Sequence, residues 1–223
     1  GTPLNVVLWR AKMIASGEAG GDELHESAHI ITQQVQHMTG IIRQLLDFAR
    51  RRAPQRAPED LTQLVERTLA LLRPLAARRH VTLDQEAAGP LMLEVDAGQL
   101  QQALTNLIVH GMQALKQGGV LRVRLGRERA LPPTDLGGPE AEWVRLDVRD
   151  EGEGIAPEVL PHVFEPFFTT KDVGEGTGLG LSVSYGLIRD HGGWISVSSE
   201  PGHGSCFSIF LPPGARNAQE AGT

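Results

Sequence analysis

The sequence predicts an α+β chain in which a helical hairpin precedes an α/β sandwich with one helical layer on a mixed sheet. Two apolar patterns at helical spacing, separated by AGGD at Ala19–Asp22, predict the hairpin. Alternating helix-like and strand-like segments from about Pro54 onward predict the sandwich. Two glycine-rich clusters between Asp150 and Gly180, the second leading directly into a helix, predict a backbone that can bind an anion.

Both helices of the hairpin follow from the spacing of apolar residues. Pro3 suits the first turn of a helix, and an apolar series follows it: Leu4, Val7, Leu8, Ala11 and Ile14. The second series advances alternately by four and three residues, as in coiled coils and four-helix bundles: Leu24, Ala28, Ile31, Val35, Met38, Ile42, Leu45 and Ala49. Its stripe is too wide for one partner helix, so we expect a homodimer with a four-helix core. A monomeric hairpin resting on the chain's own second domain is the alternative.

The domain boundary is predicted from the segment ARRRAPQRAP at Ala49–Pro58, whose arginines complement a helix C-terminus and whose prolines make a linker. Residues 1–53 then form the hairpin, residues 54–213 the second domain, and residues 214–223 a disordered tail. A nucleic-acid patch is the alternative for the arginines, but the net charge of −6 does not favour a nucleic-acid partner.

The second domain is predicted to alternate helices and strands, with a Pro/Gly-rich loop at Leu131–Pro139. In order, the expected elements are helix Leu61–Leu75, strands His80–Gln85 and Leu91–Val95, helix Gln99–Lys116, strands Val120–Leu125 and Trp143–Val148, helix Leu181–His191, and hairpin strands Trp194–Ser198 and Ser205–Leu211.

Composition predicts a cytoplasmic location. The single cysteine, Cys206, excludes an intramolecular disulfide and fits a reducing compartment. Its apolar surroundings, SCFSIFL, predict a buried structural thiol. No stretch is apolar for long enough to span a membrane, and no signal peptide is visible. We expect any membrane segment to lie upstream of Gly1.

Three motifs carry a family resemblance: DEGEGI at Asp150–Ile155, VFEPFFTTK at Val163–Lys171 and GEGTGLGLS at Gly174–Ser182. In this order they resemble the first glycine box, the F box and the second glycine box of sensor histidine kinases. That family has the Bergerat ATP-binding fold, also called GHKL. FEPFFTTK is closest to the nitrogen-regulation subtype. Taken singly, the first motif would predict a plain loop, and Phe167 and Phe168 would predict core residues.

The resemblance implies a role for each motif residue. Asp150 would accept a hydrogen bond from the adenine amino group, since an ionised carboxylate only accepts. Gly152 and Gly154 would let the backbone turn beneath the base. The segment Glu165–Gly178 would be a mobile lid from which Lys171 reaches the phosphates. Backbone N–H groups would bind those phosphates along Gly176, Thr177, Gly178, Leu179 and Gly180.

The helix Gln99–Lys116 resembles the N box of the same family, in which two asparagines lie four residues apart. Asn106 keeps the first position, and His110 stands where the Mg²⁺-binding asparagine belongs. Gln113 is implied as a further nucleotide contact. Because Mg²⁺ prefers hard oxygen ligands, His110 puts normal metal binding in doubt. It could hold the metal through water, contact phosphate, mark a weakened kinase, or be an introduced substitution.

Asn106 also distinguishes two reactions. Gyrase and mismatch-repair ATPases of the same fold have a general-base glutamate at this position, whereas an amide cannot take a proton. The resemblance therefore favours phosphoryl transfer to a protein acceptor over ATP hydrolysis.

The start of the chain, GTPLNVV, resembles the end of the phosphoacceptor box. Pro3 fixes the register, so the accepting histidine would lie three residues before Gly1. Thr2 matches the position that orients a water for dephosphorylating the partner regulator; an N-cap is its other interpretation. His25 and Glu26 form a weaker candidate pair, without the downstream proline.

The expected function is the ATP- and Mg²⁺-dependent core of a protein-histidine kinase that passes phosphoryl to the receiver domain of a response regulator. Because the accepting histidine would lie before Gly1, residues 1–223 would bind nucleotide without phosphorylating themselves. The alternatives are a non-catalytic dimeric pseudokinase scaffold, which His110 favours, and an ATPase of the gyrase class, which Asn106 and the hairpin disfavour.

Overall fold

The computed structural model describes residues 3–49, 53–171 and 177–213, which divide into two units. The first unit holds the helical hairpin and the described part of residues 169–179. The second holds residues 53–168 and 180–213. The tail 214–223 lies outside the described residues, and the boundary at residue 53 remains a prediction.

The first unit is the predicted hairpin, formed by α1 (Pro3–Ser16) and α2 (Asp22–Ala49). Glycines with positive φ at Gly17 and Gly21 make the turn between the helices. Across the hairpin, the Arg10 guanidinium donates a hydrogen bond of 3.3 Å to the buried hydroxyl of Ser27.

An apolar stripe on α2 remains accessible within this unit. Leu24, Val35 and Ile42 are 41%, 45% and 57% exposed, and Met38 is half-buried. The predicted seam also includes Leu45 and Ala49, whose side chains lie outside those the structure describes. Large exposed apolar side chains on one helix face are typical of a surface that another helix covers, so the four-helix core stays a prediction.

The second unit contains a five-stranded mixed sheet and a separate two-stranded sheet. The small sheet pairs β1 (Ala57–Asp60) with β3 (Met92–Val95) in antiparallel fashion. The large sheet has the order β2-β4-β5-β7-β6, with β2 and β4 parallel and the other pairs antiparallel. Its strands are β2 (Val81–Ala87), β4 (Gly119–Ala130), β5 (Ala141–Asp150), β6 (Trp194–Glu200) and β7 (Gly204–Leu211).

Three helices cover one face of the large sheet: α3 (Leu61–Arg78), α4 (Ala97–Ala114) and α5 (Gly180–Asp190). Strand β5 shows the alternation that this layering requires. Leu146 and Val148 are buried toward the helices, whereas Arg145 and Asp147 on the opposite face form an ion pair. The predicted α+β fold, a sandwich with one helical layer on a mixed sheet, is confirmed.

Several predicted element limits were wrong. Residues 57–60 were assigned to the linker and the domain start but form β1, because they pair with β3. Helix α3 continues beyond Leu75 to Arg78 with Pro74 inside it, although proline cannot donate the helical hydrogen bond. Helix α4 runs from Ala97 to Ala114 instead of from Gln99 to Lys116, because the Asp96 side chain caps it by accepting from the backbone N–H of Gln99 at 3.1 Å.

Cys206 is partly buried on β7, and burial raises the pKa of its thiol, to which the nearby Asp147 carboxylate adds. This fits the predicted structural thiol, since the thiolate is the reactive form. Within the described ranges, no helix is both long and apolar enough to cross a membrane.

Candidate nucleotide-binding site

Asp150 is the last residue of β5 and is only 2% exposed. Its Oδ1 accepts a hydrogen bond of 2.9 Å from the backbone N–H of Gly152. Burial raises the pKa of Asp150, and N–H groups from Gly152 and Ser205 partly oppose that increase. The site therefore presents a desolvated carboxylate, which is a strong acceptor for a donor that replaces water.

A glycine on α4 packs closely beside this carboxylate. A Cβ at Gly111 would lie 2.6 Å from Leu121 Cδ1 and 3.6 Å from Asp150 Oδ2. Any larger residue would have to displace Leu121 and would lie against the carboxylate. Gly111 was not predicted as a site residue, although a glycine inside a helix is a signal of close packing.

The two glycines of the first motif are required by close backbone approaches. A Cβ at Gly152 would lie 2.7 Å from the Ala114 carbonyl oxygen at the end of α4. Gly154 has a φ of +71°, and a Cβ there would collide with the backbone oxygen of Glu200. The plain-loop interpretation of this motif does not account for such packing.

The β6–β7 turn holds the first motif from the other side. The N–H of Gly202 donates to the Glu153 carbonyl at 2.8 Å, and the N–H of Ile155 donates to Ser199 Oγ at 2.8 Å. Gly204, with a φ of +88°, allows β7 to begin against the Asp150 carbonyl, where a Cβ would collide. Ser199 and Gly204 were not predicted as site residues, because only the strand pairing brings them to the motif.

Asn106 joins the middle of α4 to the first turn of α5. Its Nδ2 lies 3.1 Å from the Gly180 carbonyl oxygen and 3.3 Å from Ser184 Oγ. Two of the predicted site residues, Asn106 and Gly180, are thus brought together. Ser184 was not predicted, and its signal would have been a serine within the apolar pattern of α5.

His110 is half-buried, and its ring packs edge-on against Phe207 of β7, with ring centroids 5.3 Å apart. Phe164 of the F box packs near the same ring, at 6.4 Å from Phe207. Gln113 lies about one turn further along α4 and is also half-buried.

Of the three phenylalanines of the F box, Phe164 and Phe168 are half-buried and Phe167 is exposed. Phe164 packs against Tyr185 at 5.3 Å, whereas Phe167 is 63% exposed and has a φ of +68°. The interpretation of Phe167 as a core residue was therefore wrong. A left-handed backbone at a bulky, exposed residue is strained, and such strain clusters at functional segments.

The remaining predicted residues belong to the first unit or lie outside the described ranges. Lys171, Thr177, Gly178 and Leu179 fall in the segment that groups with the hairpin. In it, the backbone N–H of Leu179 donates to Thr177 Oγ1 at 3.3 Å, and Gly178 has a φ of +66°. Thr2 and Gly176 lie outside the described residues.

The donor set on α4 fits a metal ion that arrives with a nucleotide. Among the described residues, no group of three or more His, Cys, Asp and Glu side chains could hold a metal. Asn106 and Gln113 offer amide oxygens, which Mg²⁺ accepts, and His110 offers an imidazole nitrogen. Mg²⁺ is commonly held by one or two protein ligands together with substrate phosphates, so this set could hold the ion only together with the phosphates of a nucleotide.

Comparison with known proteins places these features in a family context. The family model described as "Histidine kinase-, DNA gyrase B-, and HSP90-like ATPase" matches residues 95–215, more than half of the chain. Sensor kinase CckA of Brucella abortus is 36% identical over 219 residues, which cover 94% of this chain and 22% of CckA. Sensor histidine kinase ZraS of Escherichia coli K12 is 32% identical over 211 residues, which cover 94% of this chain and 42% of ZraS. The chain thus spans less than half the length of these curated relatives.

Solved structures give the same fold. Full-length ShkA in complex with AMPPNP matches with a TM-score of 0.68 at 27% identity, over 96% of this chain and 44% of ShkA. Histidine kinase ThkA in complex with the response regulator protein TrrA matches with a TM-score of 0.74 at 22% identity, over 95% of this chain and 57% of that chain. The second likeness concerns the fold alone.

Proposed function

Because the chain belongs to the family of histidine kinase-, DNA gyrase B- and HSP90-like ATPases, we propose that it is the catalytic and dimerisation core of a sensor histidine kinase. It would bind ATP, transfer the γ-phosphoryl group to a histidine, and supply that phosphoryl to a response-regulator aspartate. The observation that carries the proposal is the buried Asp150 carboxylate at the end of β5, with Gly111 packed closely beside it.

The carboxylate supports selection of adenine. Only acceptor atoms are present on an ionised Asp150, and one oxygen is already used by the Gly152 N–H. The adenine amino group is a donor and complements the other oxygen. Guanine has a carbonyl at the same ring position, so its oxygen would face the carboxylate without a proton between them. GTP should therefore compete poorly with ATP, because a buried polar group left unpaired is costly.

Asn106 supports transfer to a protein acceptor in preference to hydrolysis. Its amide nitrogen is committed to Gly180 and Ser184, and an amide has no basic atom at neutral pH. Positioning and charge neutralisation then provide most of the catalysis. Mg²⁺ bound with ATP would supply that charge neutralisation, with an amide oxygen of Asn106 or Gln113 as its protein ligand and His110 nearby.

The partners follow from the hairpin and from the relatives. The exposed stripe of Leu24, Val35 and Ile42 would form the homodimer core. The response-regulator partner is supported by the sensor-kinase relatives, and we place this core in the cytoplasm. According to the family resemblance, six residues would contact the phosphates: Lys171, Gly176, Thr177, Gly178, Leu179 and Gly180. Thr2 keeps its proposed role in dephosphorylating the regulator, and the nitrogen-regulation subtype remains a prediction.

A phosphotransfer assay tests the proposal. A chain that carries a complete phosphoacceptor box, with a histidine three residues before the position of Gly1, is incubated with γ-³²P-labelled ATP and Mg²⁺, and the product is treated with acid and with alkali. Phosphohistidine survives alkali and is lost in acid, and Asp150→Asn should remove most of it. Release of inorganic phosphate without protein labelling would favour the ATPase alternative.

His110 allows a separate test of the pseudokinase alternative. ATP affinity and phosphohistidine yield are measured against Mg²⁺ concentration for the parent chain and for His110→Asn. If His110 weakens metal use, His110→Asn should increase both quantities, because an amide oxygen suits Mg²⁺ better than imidazole does. Nucleotide binding without labelling in either protein would favour the scaffold.

A further inference from the structure

The orientation of the Asn106 carboxamide is fixed by its neighbours on α5. The Gly180 carbonyl oxygen can only accept a hydrogen bond, and it lies 3.1 Å from the Asn106 amide. The nitrogen end must therefore face α5. The other end, Oδ1, makes no hydrogen bond among the described residues.

Ser184 completes this contact from inside the protein. Its side chain is fully buried, and its hydroxyl lies 3.3 Å from Asn106 Nδ2, from which it accepts. The single hydroxyl hydrogen has two acceptors within reach: the Gly180 carbonyl at 2.9 Å and the Ala103 carbonyl of α4 at 3.3 Å. The hydroxyl thus ties the first turn of α5 to α4 and to the Asn106 amide.

Hydrogen bonds, not shape, determine this contact. A Cβ at Gly180 would lie 3.9 Å from Asn106 Cγ, an ordinary contact distance. A buried hydroxyl must be hydrogen-bonded to avoid a desolvation penalty, whereas an apolar side chain of similar size would pack there without that requirement. The Ser184 hydroxyl therefore fixes the orientation of the Asn106 amide, whereas an apolar side chain would leave that orientation unspecified.

We infer that Ser184 is a positioning residue that holds Asn106 so that Oδ1 is presented to the Mg²⁺ accompanying ATP. The inference rests on the proposed function and assigns the oxygen ligand of α4 to Asn106. In the family resemblance, the residue at position 110 has that role. A carboxamide oxygen is a ligand type that Mg²⁺ prefers, and imidazole is not. Ser184 acts only through Asn106 and touches neither nucleotide nor metal.

The test is calorimetric titration with AMPPNP, with Mg²⁺ and with EDTA, for the parent chain and Ser184→Ala. The affinity gained from Mg²⁺ should decrease by about threefold to tenfold, which corresponds to the net value of one hydrogen bond. Affinity in EDTA should stay within about twofold of the parent, since no metal ligand is then in use. Ser184→Thr, which keeps the hydroxyl, should restore the Mg²⁺ effect.

Thr68→Val is the matched control. Thr68 is likewise fully buried, and its hydroxyl donates to the Leu64 carbonyl one turn back at 2.7 Å, but it lies on α3 and has no bond to Asn106. It should lower stability without changing the Mg²⁺ effect. If Ser184→Ala folds poorly, Ser184→Cys replaces it in the titration, because cysteine is similar in size to serine but is a much weaker hydrogen-bond donor.

A double-mutant cycle with Asn106→Ala measures how far the effect of Ser184 on Mg²⁺-dependent affinity depends on Asn106. If Ser184 acts through Asn106, Ser184→Ala should change the Mg²⁺ effect no further once Asn106 is absent. Equal losses with Mg²⁺ and with EDTA would show a merely structural role and overturn the inference, as would an unchanged Mg²⁺ effect in Ser184→Ala. A parent chain that binds no adenine nucleotide would instead overturn the proposed function.

Discussion

The Asp150 carboxylate accepts a hydrogen bond from the Gly152 N–H at 2.9 Å, in a position where only 2% of Asp150 is exposed. This bond holds the first glycine motif against the end of β5. It offsets only part of the cost of burying the charge, so the pKa of Asp150 remains raised, chiefly by desolvation. The residue proposed to recognise adenine therefore destabilises the nucleotide-free protein.

Replacement of Asp150 by asparagine should lower nucleotide affinity but raise the stability of the nucleotide-free protein. Nucleotide affinity should decrease by about tenfold to a hundredfold, the usual value of a hydrogen bond to a charged group. Without nucleotide at pH 7, the variant should melt at a higher temperature. The pKa of Asp150 is higher in the folded protein than its unfolded value of 3.8, so Asp150 contributes to stability only at pH values low enough to protonate it. As the pH increases through the folded pKa, that contribution is lost, and at pH 7 the ionised Asp150 lowers the stability that the asparagine variant keeps. Thermal melts and calorimetry measure the two effects.

Asp147→Asn is the control for that experiment, because Asp147 accepts from Arg145 at 2.7 Å on the opposite face of the same strand. It should leave nucleotide affinity unchanged. An Asp150→Asn protein with parental affinity would contradict the assigned base contact.

Gly154→Ala should be strongly destabilising. The new methyl would collide with the Glu200 backbone, and the residue would keep a φ of +71°. The expected loss in the free energy of unfolding is at least about 1–3 kcal/mol, from backbone strain alone. Gly126→Ala on β4, where a Cβ would meet nothing within 4 Å, should cost little. Urea denaturation of both variants compares them, and equal losses would argue against the close approach.

The hairpin should dimerise through its exposed stripe. Replacing Val35 and Met38 together by glutamate would bury charges at the predicted helix seam and should leave a monomer, since uncompensated buried charges cost several kcal/mol or more. Light scattering at tens of micromolar protein gives the mass. The exposed Gln36 on the same helix provides the control, Gln36→Glu. A parent chain that is already monomeric would exclude the four-helix core.

Acid should weaken the protein through Asp96. Burial alone would raise the pKa of Asp96, but hydrogen bonds from the backbone N–H groups of Gln99, Gln55 and Gly98, with His191 nearby, hold it below 3.8. A depressed folded pKa contributes stability above the unfolded pKa, and that contribution is lost as pH decreases through the folded value. Asp96→Asn should therefore be less stable than the parent at pH 7, with a smaller difference below pH 3.8. Urea midpoints across this range test it, and a constant difference would contradict it.

The fold was largely predictable because its elements have strong local patterns. The seven-residue repeat of α2 and the alternation of β5 each determine one face without help from the rest of the chain. Strand β1 has no such pattern, since APED contains a proline and two acids. It forms only because β3 lies beside it, and tertiary pairing of this kind is not encoded locally.

The site was predictable where a motif specifies backbone geometry, as at Gly152 and Gly154. Ser184 and Gly204 were not predictable, because their roles depend on contacts with residues far away along the chain. Phe167 was ambiguous for another reason. The motif around Phe167 indicates a functional segment, whereas its large apolar side chain indicates a core residue. Its positive φ and its exposure in the structure favour the functional segment.

The strand order has a consequence for how the site is assembled. The β4–β5 and β6–β7 pairs join strands that are adjacent in the chain, whereas α5 and β6 lie between β5 and β7 in the sequence. Local pairs close with less entropy loss and can form early, so the two hairpins precede the junction that unites them. Asp150 and Ser205 face each other at that junction. We therefore expect the proposed nucleotide site to be completed when this junction forms, and bound ATP would stabilise the junction directly.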